Sequence, residues 1–156
     1  MPAIIPNFLF NTQALAAAEY YVGLFPNSSI TSVSHYGEGA PMIAGTPLSV
    51  EFVLDGVPFQ AINCGQDVPS SNVVSFRVVC HGQAEVDHYW DALTAGGQPG
   101  QCGWLTDQFG VAWQVTPEEM GHYLGHADPT KAQAAMTAML GMTKIDLAVF
   151  EAVTAH

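Results

Sequence analysis

The feature that most restricts this chain is a spacing that occurs twice. Asn11 is followed, after eight residues, by Tyr20-Tyr21 and then Leu24, and Cys80 is followed, after eight, by Tyr89-Trp90 and then Leu93. An apolar run precedes each first mark, Ile4 to Phe10 in one case and Val73 to Val79 in the other. Strand-length runs that lead into helix-length segments with matched marks predict two copies of one strand-helix unit.

The residues between the marks extend the repeat. Asn11-Thr12 offers a cap for an Ala-rich helix to about Phe25, with Leu15, Ala18, Val22 and Phe25 expected on its core face and Pro26-Asn27-Ser28 ending it. A strand from Ser29 to Tyr36 follows, then a Gly/Pro-rich loop from Gly37 to Pro47 that reads as a flap. Leu48 to Leu54 and Val57 to Cys64 flank Asp55-Gly56, the pair a type I′ hairpin favours because both positions need positive φ. The hairpin recurs as Gly103-Trp104-Leu105 and Val111 to Val115 around Asp107-Gln108-Phe109-Gly110. Each copy therefore reads β-α-β-β-β, module one over 1–66 and module two over 70–116, in a single α+β domain of 156 residues.

Residues 117–156 read as helical. Thr116-Pro117-Glu118-Glu119 has the form of a capping box with Pro at the first helical position. Asp128-Pro129 opens a second helix with Ala132, Met136, Met139 and Leu140 on one face, and Gly141 closes it. A last helix from Lys144 to Val153 shows Ile145, Ala148, Val149 and Ala152. These stripes are expected to pack in a core or a dimer interface.

Charge excludes whole classes of partner. Arg77, Lys131 and Lys144 stand against 14 carboxylates, a formal net charge of -11, so the clustered bases that neutralise phosphates are missing and nucleic acid is not an expected partner. An anionic membrane surface is disfavoured for the same reason. With only 11% charged and 49% hydrophobic residues, some apolar surface must remain, and a homodimer is the expected way to cover it. Cys64, Cys80 and Cys102 make an odd set without CxxC spacing, and the start lacks a basic segment leading into a long apolar run; both point to a cytoplasmic protein.

Several runs resemble the PhnB-like family of the vicinal-oxygen-chelate, or glyoxalase/bleomycin resistance, superfamily. They are Leu24-Phe25-Pro26-Asn27-Ser28, Val50 to Gly56, Ile62-Asn63-Cys64-Gly65, the long run Gly100 to Val115, and the tail from Lys131-Ala132-Gln133 through Met139-Leu140 to Lys144-Ile145-Asp146. The resemblance implies that the two modules form a cup-shaped mixed sheet around a small-molecule site. Some relatives carry a demethylubiquinone methyltransferase label, but Gly37-Glu38-Gly39 is not followed by a helix, so the glycine-rich turn that would hold a nucleotide-like methyl donor is missing and the label is rejected.

Enzymes of the superfamily hold a divalent ion on inner strands with His, Glu or Gln. In this chain the matching positions fall at Pro6 to Phe8, Val73 to Ser75, Gln60 to Ile62 and Gln114, where two neutral amides stand in place of imidazole and carboxylate. Gln114 is the first candidate ligand for a divalent metal, with Gln60 and Glu51 as further ligands or a base in the enzyme reading. Glu51, the one carboxylate inside a strand of the first module, is the candidate base or polar anchor, with an outward solvated position as the alternative. Gln60, Asn63, Trp104, Phe109, Trp113 and Gln114 are the candidate ligand-binding residues. His122 and His126, four apart, and Cys102, between Gly100 and Gly103, are weaker marks read as a surface pair and an inert thiol. Two functions stay open: a protein that binds an uncharged or cationic small molecule, and a metal-dependent lyase, isomerase or dioxygenase.

Overall fold

A computed structural model describes residues 1–155. The chain divides into two compact units, Met1–Pro69 and a second from Ser70 onward.

In the first unit β1 (Asn7–Phe10) leads into α1 (Ala14–Leu24), followed by β2 (Ser29–His35), β3 (Pro47–Leu54) and β4 (Val57–Asn63). The strands form a mixed sheet in the order β1-β4-β3-β2, with β1 parallel to β4 and the other neighbours antiparallel. Period-two alternation sends Phe8, Phe10, Val50, Phe52, Leu54, Phe59 and Ala61 to one buried face. Helix α1 covers that face with Ala14, Ala17, Ala18 and Tyr21, and lies chiefly over β3. Three alanines bring the helix axis close to the sheet, and Tyr21 fills the remaining depth against Phe8 and Phe52, at ring-centroid distances of 6.0 and 6.5 Å. Phe52 and Phe59 stack beneath it at 5.6 Å. Each such ring stabilises the unit by roughly 1.5–3 kcal/mol on burial.

The face of α1 is therefore Ala14, Ala17, Ala18 and Tyr21 rather than Leu15, Ala18, Val22 and Phe25. A helix with apolar residues nearly all round has no stripe to read, and steric fit to the sheet chooses its rotation. Nor do Asn11-Thr12 cap it: Gln13 occupies the cap position without a side-chain bond. The turn expected at Asp55-Gly56 is present, with φ of 46° and 80°.

The second unit repeats the order. β5 (Phe76–Cys80), α2 (Gly82–Thr94), β6 (Gln98–Pro99), β7 (Trp104–Thr106) and β8 (Ala112–Pro117) give the sheet β5-β8-β7-β6, again with the first strand parallel to the last. Helix α2 buries Val86, Trp90 and Leu93. The opening strand starts at Phe76, not Val73, because its ladder begins where Phe76 meets Trp113; Val73 and Val74 are left 92% and 65% exposed. Both units thus show the β-α-β-β-β order read from the sequence, in an α+β protein.

Beyond β8 come α3 (Met120–Leu124), α4 (Pro129–Leu140) and α5 (Leu147–Thr154). Thr116-Pro117 does not open a helix: it continues the β5–β8 ladder, opposite Val79 and Cys80, and the helix starts three residues later. Asp128 caps α4, accepting from the Thr130 amide, with Pro129 in the first turn, and Gly141 ends it. The core here is Ala135, Met142, Ile145 and Phe150, with Tyr123 stacked on Phe150 at 5.3 Å. Met136 and Leu140 on α4 and Val149 and Val153 on α5 are exposed, so of the two expected stripes only Ile145, just ahead of α5, joins the buried core of this chain. The Gln83 amide of α2 ties this region to the second unit's sheet and helix layer, donating to Ile145 O at 2.9 Å and accepting from Leu147 N at 2.8 Å. No helix among the described residues is long and apolar enough to cross a membrane.

Candidate functional site

Because α1 covers one face of the first sheet, odd and even strand positions have different fates. The opposite, uncovered face carries a row that crosses all four strands: Ser32 pairs with Glu51, Glu51 with Gln60, and Gln60 with Asn7. The Asn7 amide donates to Gln60 Oε1, and two residues along β2 and β3, on the same face, Ser34 and Ser49 share a hydroxyl contact of 2.6 Å. Leu9 and Ile62 form the apolar part of this surface. Glu51 is exposed on it, so the carboxylate lies on the open side of the sheet, between Val50 and Phe52, which point to the face under α1.

The second sheet has the same frame. Gln114 pairs with Arg77 on one side and Trp104 on the other, so Gln60 and Gln114 hold equivalent positions, as do Asn7 and Arg77, and Glu51 and Trp104. Diagonal bonds fix these side chains: Gln114 Nε2 donates to Ser75 Oγ at 2.9 Å, and Arg77 Nε donates to Thr116 Oγ1 at 2.7 Å. Beside them, Trp104 and Thr106 of β7 line a recess of about 90 Å³ together with Gln98, Pro99 and Asn72. Ligand pockets span roughly 300–1,000 Å³. At that size the recess cannot enclose a whole ligand.

The other candidate residues lie elsewhere. Asn63 is fully buried on the face under α1, where its Oδ1 accepts from Ala14 N at 2.8 Å and its Nδ2 donates to Pro47 O at 3.0 Å. Trp113 is buried on the helix-covered face of the second sheet, its ring 5.6 Å from Phe76 and its indole N–H donating to Asp107 Oδ2 at 2.8 Å. Phe109 is half-buried in the hairpin loop, its amide donating to Asp107 Oδ1. Of the seven residues singled out from sequence, Glu51 and Gln60 share one open face and Trp104 and Gln114 the other. Arg77 and Asn7 were not singled out; correct parity of the two parallel opening strands against Gln114 and Gln60 is the signal that finds them.

The donor set on these faces does not fit a divalent ion. Each face offers neutral amides, one carries a single carboxylate, and the other carries a guanidinium next to its amide, whereas catalytic ions take about three N, S or anionic O ligands. Among the described residues no three His, Cys, Asp or Glu side chains converge as a metal site would require. The His122 and His126 rings lie 6.3 Å apart on and just beyond a helix of five residues, and His126 Nδ1 accepts from Asp128 N. Cys102 adopts φ of 58° in a turn where its Sγ donates to Met139 O. Burial, reinforced by Glu85 and Glu119, pushes the Cys80 thiol up to about 11.

His81 pairs with Glu118 at 2.8 Å on the surface. The hydrogen bond to Glu118, then the charges of Glu118 and Glu85, raise its pKa above the usual imidazole value. The stabilisation this pair contributes is thus fully present below about pH 6.5 and is lost as pH rises through the higher folded value. An NMR titration of the His81 ring is expected to show a midpoint above 6.5 that falls back in Glu118→Gln; an unchanged midpoint in that variant would remove the pair from the account.

Residues 2–116 match the profile of a family described as 3-demethylubiquinone-9 3-methyltransferase. Among solved structures, the chain is similar to the PhnB protein of Bacillus cereus, with 29% identity and a TM-score of 0.65 over 74% of this chain and 99% of that one. A Pseudomonas aeruginosa protein matches at 21% identity and a TM-score of 0.62, over 76% and 98%. The fosfomycin resistance protein FosX of Listeria monocytogenes, solved with Mn(II) and sulfate, shares the fold at 11% identity and a TM-score of 0.51, over 80% and 95%. No curated protein matches the chain.

Proposed function

The chain belongs to the 3-demethylubiquinone-9 3-methyltransferase family, the PhnB-like branch of the glyoxalase/bleomycin resistance superfamily, and from that premise we propose that it is a small-molecule-binding protein. The observation that carries this reading is the pair of uncovered sheet faces, each crossed by a fixed row of polar side chains around a glutamine, Gln60 in one and Gln114 in the other. An apolar surface with few, immobilised polar groups is how small-molecule sites obtain both affinity and orientation. Glu51 is an exposed anchor for a hydroxyl or a cation on the first face; Trp104 offers a flat apolar contact on the second. Methyl transfer from a nucleotide-like donor finds no support in the glycine loop, since Gly37 and Gly39 lie between two strands, β2 and β3.

The repeated strand order supports an origin by internal duplication, and both units together make one functional domain of three parts, 1–66, 70–116 and 117–156. A homodimer accounts for the exposed apolar side chains Met136, Leu140, Val149 and Val153, and sedimentation as a monomer would remove it. The three cysteines are free, which supports a reducing, cytoplasmic setting.

A thermal-shift screen tests the function. Compounds that occupy the faces stabilise the native state by mass action, about 2.7 kcal/mol at a concentration of 100 Kd, which reads as a rise of several degrees. Binding is expected for at least one class among uncharged, cationic and anionic metabolites. No shift across all three classes would end the reading, and stabilisation by Mn(II) alone would favour the metal-dependent lyase, isomerase or dioxygenase instead.

A further inference from the structure

We propose that the open face of the second sheet receives an anion, with Arg77 anchoring a small organic acid whose other end reaches the recess beside Trp104. The proposal rests on the small-molecule reading above and gives its ligand a charge.

Arg77 is the chain's one arginine, in a protein with 14 carboxylates and three strong bases. Lys144 is engaged by Asp87 at 2.9 Å. Arg77 is not: among the described residues no carboxylate lies within ion-pair distance of its guanidinium. The face it stands on carries Ser75, Gln114, Thr116, Trp104 and Thr106; the next carboxylate along its ladder, Glu118, is engaged by His81 at 2.8 Å. In so acidic a chain, a strand-borne base left without a counter-charge, while the neighbouring Glu118 is taken by His81, is placed for an anion that arrives from outside.

The guanidinium is also held in place. Its Nε–H donates to the hydroxyl of Thr116 at 2.7 Å, a residue 2% exposed, which ties down one edge of the guanidinium while Arg77 as a whole stays exposed. A guanidinium with one edge tied down loses less freedom when its other edge forms two parallel bonds to a carboxylate or phosphate. Gln114 is held in turn by Ser75, beside Arg77 in the ladder. From Arg77 across β8 to Trp104 of β7 is two strand spacings, roughly 10 Å. That span suits a carboxylate on a short chain or a single ring, with the recess taking the far end. The expectation of an uncharged or cationic ligand followed the sign of the whole chain; binding follows the sign of the face, and screening confines distant charges to about 10 Å.

The test uses the full chain labelled with ¹⁵N, in which the single Arg Nε–H gives one unambiguous resonance. Benzoate is expected to move the Arg77 Nε–H and Trp104 indole resonances along one saturating curve, while benzamide, its uncharged counterpart, leaves Arg77 unmoved. Arg77→Met should weaken benzoate about tenfold to a hundredfold, with Arg77→Lys between it and wild type because charge remains without the two-pronged geometry. If Arg77→Met misfolds, Arg77→Lys and the wild-type resonance still decide. Inorganic phosphate separates the source of the anion: saturation by phosphate supports a phosphate-type group, and saturation by benzoate alone a carboxylate. The proposal is overturned if neither anion shifts Arg77 saturably, or if benzoate affinity survives Arg77→Met. Should uncharged or cationic compounds then still stabilise the protein, only the charge assignment falls; should nothing bind, the small-molecule reading falls with it.

Discussion

Asp107→Ala is expected to be among the most damaging single substitutions in this protein, lowering stability by about 3–5 kcal/mol and the midpoint of thermal unfolding by roughly 10 °C. The Asp107 carboxylate is 3% exposed and stands at the head of the β7–β8 hairpin. One oxygen accepts from the backbone amides of Phe109 and Val111, at 2.8 and 3.0 Å, and the other from the Trp113 indole at 2.8 Å. Hydrogen bonds to an ionised acceptor contribute roughly 1.5–3 kcal/mol each, and deleting the acceptor leaves buried donors without a partner. Asp107→Asn keeps one acceptor for the loop amides and turns an N–H₂ group on the indole, so it should cost about half as much. Unfolding followed by circular dichroism measures both. A double-mutant cycle with Trp113→Phe isolates the indole bond, and Asp107→Ala should cost less in that background. A loss under about 1 kcal/mol for Asp107→Ala would show that the hairpin does not depend on this carboxylate.

Asn63→Ala should cost about 2–4 kcal/mol, because both polar atoms of its side chain are bonded to the protein's own backbone. Helix α1 starts without a capping side chain of its own, and the Oδ1 of Asn63, at the end of β4, accepts from the first helical amide, Ala14 N. The Nδ2 of the same amide donates to Pro47 O, where β3 begins, and the Asn63 carbonyl accepts from the Tyr36 hydroxyl at 2.6 Å. One buried side chain thus joins the start of the helix to two neighbouring strands. Asn63→Asp retains the acceptor, with favourable charge at a helix N-terminus, but sets an oxygen against the Pro47 carbonyl; an intermediate loss is expected. Hydrogen exchange at Ala14 and Ala17 should quicken in Asn63→Ala more than thermal stability alone explains, because the helix end is released first. Unaltered exchange there would refute the capping role.

These two substitutions bear on how a site is recognised in this fold. Asn63, Trp113 and Asp107 sit close in sequence to residues of the open faces, and their polar atoms are spent on holding turns and helix ends. Gln60 and Gln114 have the same chemistry as Asn63 yet stand on the other side of the pleat. One position along a strand separates a structural amide from one that can meet a ligand.

Much of the architecture was legible because it is local. The spacing from Asn11 to Leu24 and from Cys80 to Leu93 announced two strand-helix units, Asp55-Gly56 announced a turn with positive φ, and Asp128-Pro129 with Gly141 bounded α4. Each signal depends on backbone preferences that act over a few residues. The face that each helix buries, the strand position at which pairing begins, and the side of the sheet on which Arg77, Gln114 and Trp113 stand were decided by tertiary structure. They depend on register between β5 and β8 and between β1 and β4, parallel partners that meet only after the helix and hairpin between them have folded back. Local spacing was enough to show that a unit is repeated; the ladder placed Gln60 and Gln114 at equivalent positions on the two open faces, with a carboxylate beside one and a guanidinium beside the other.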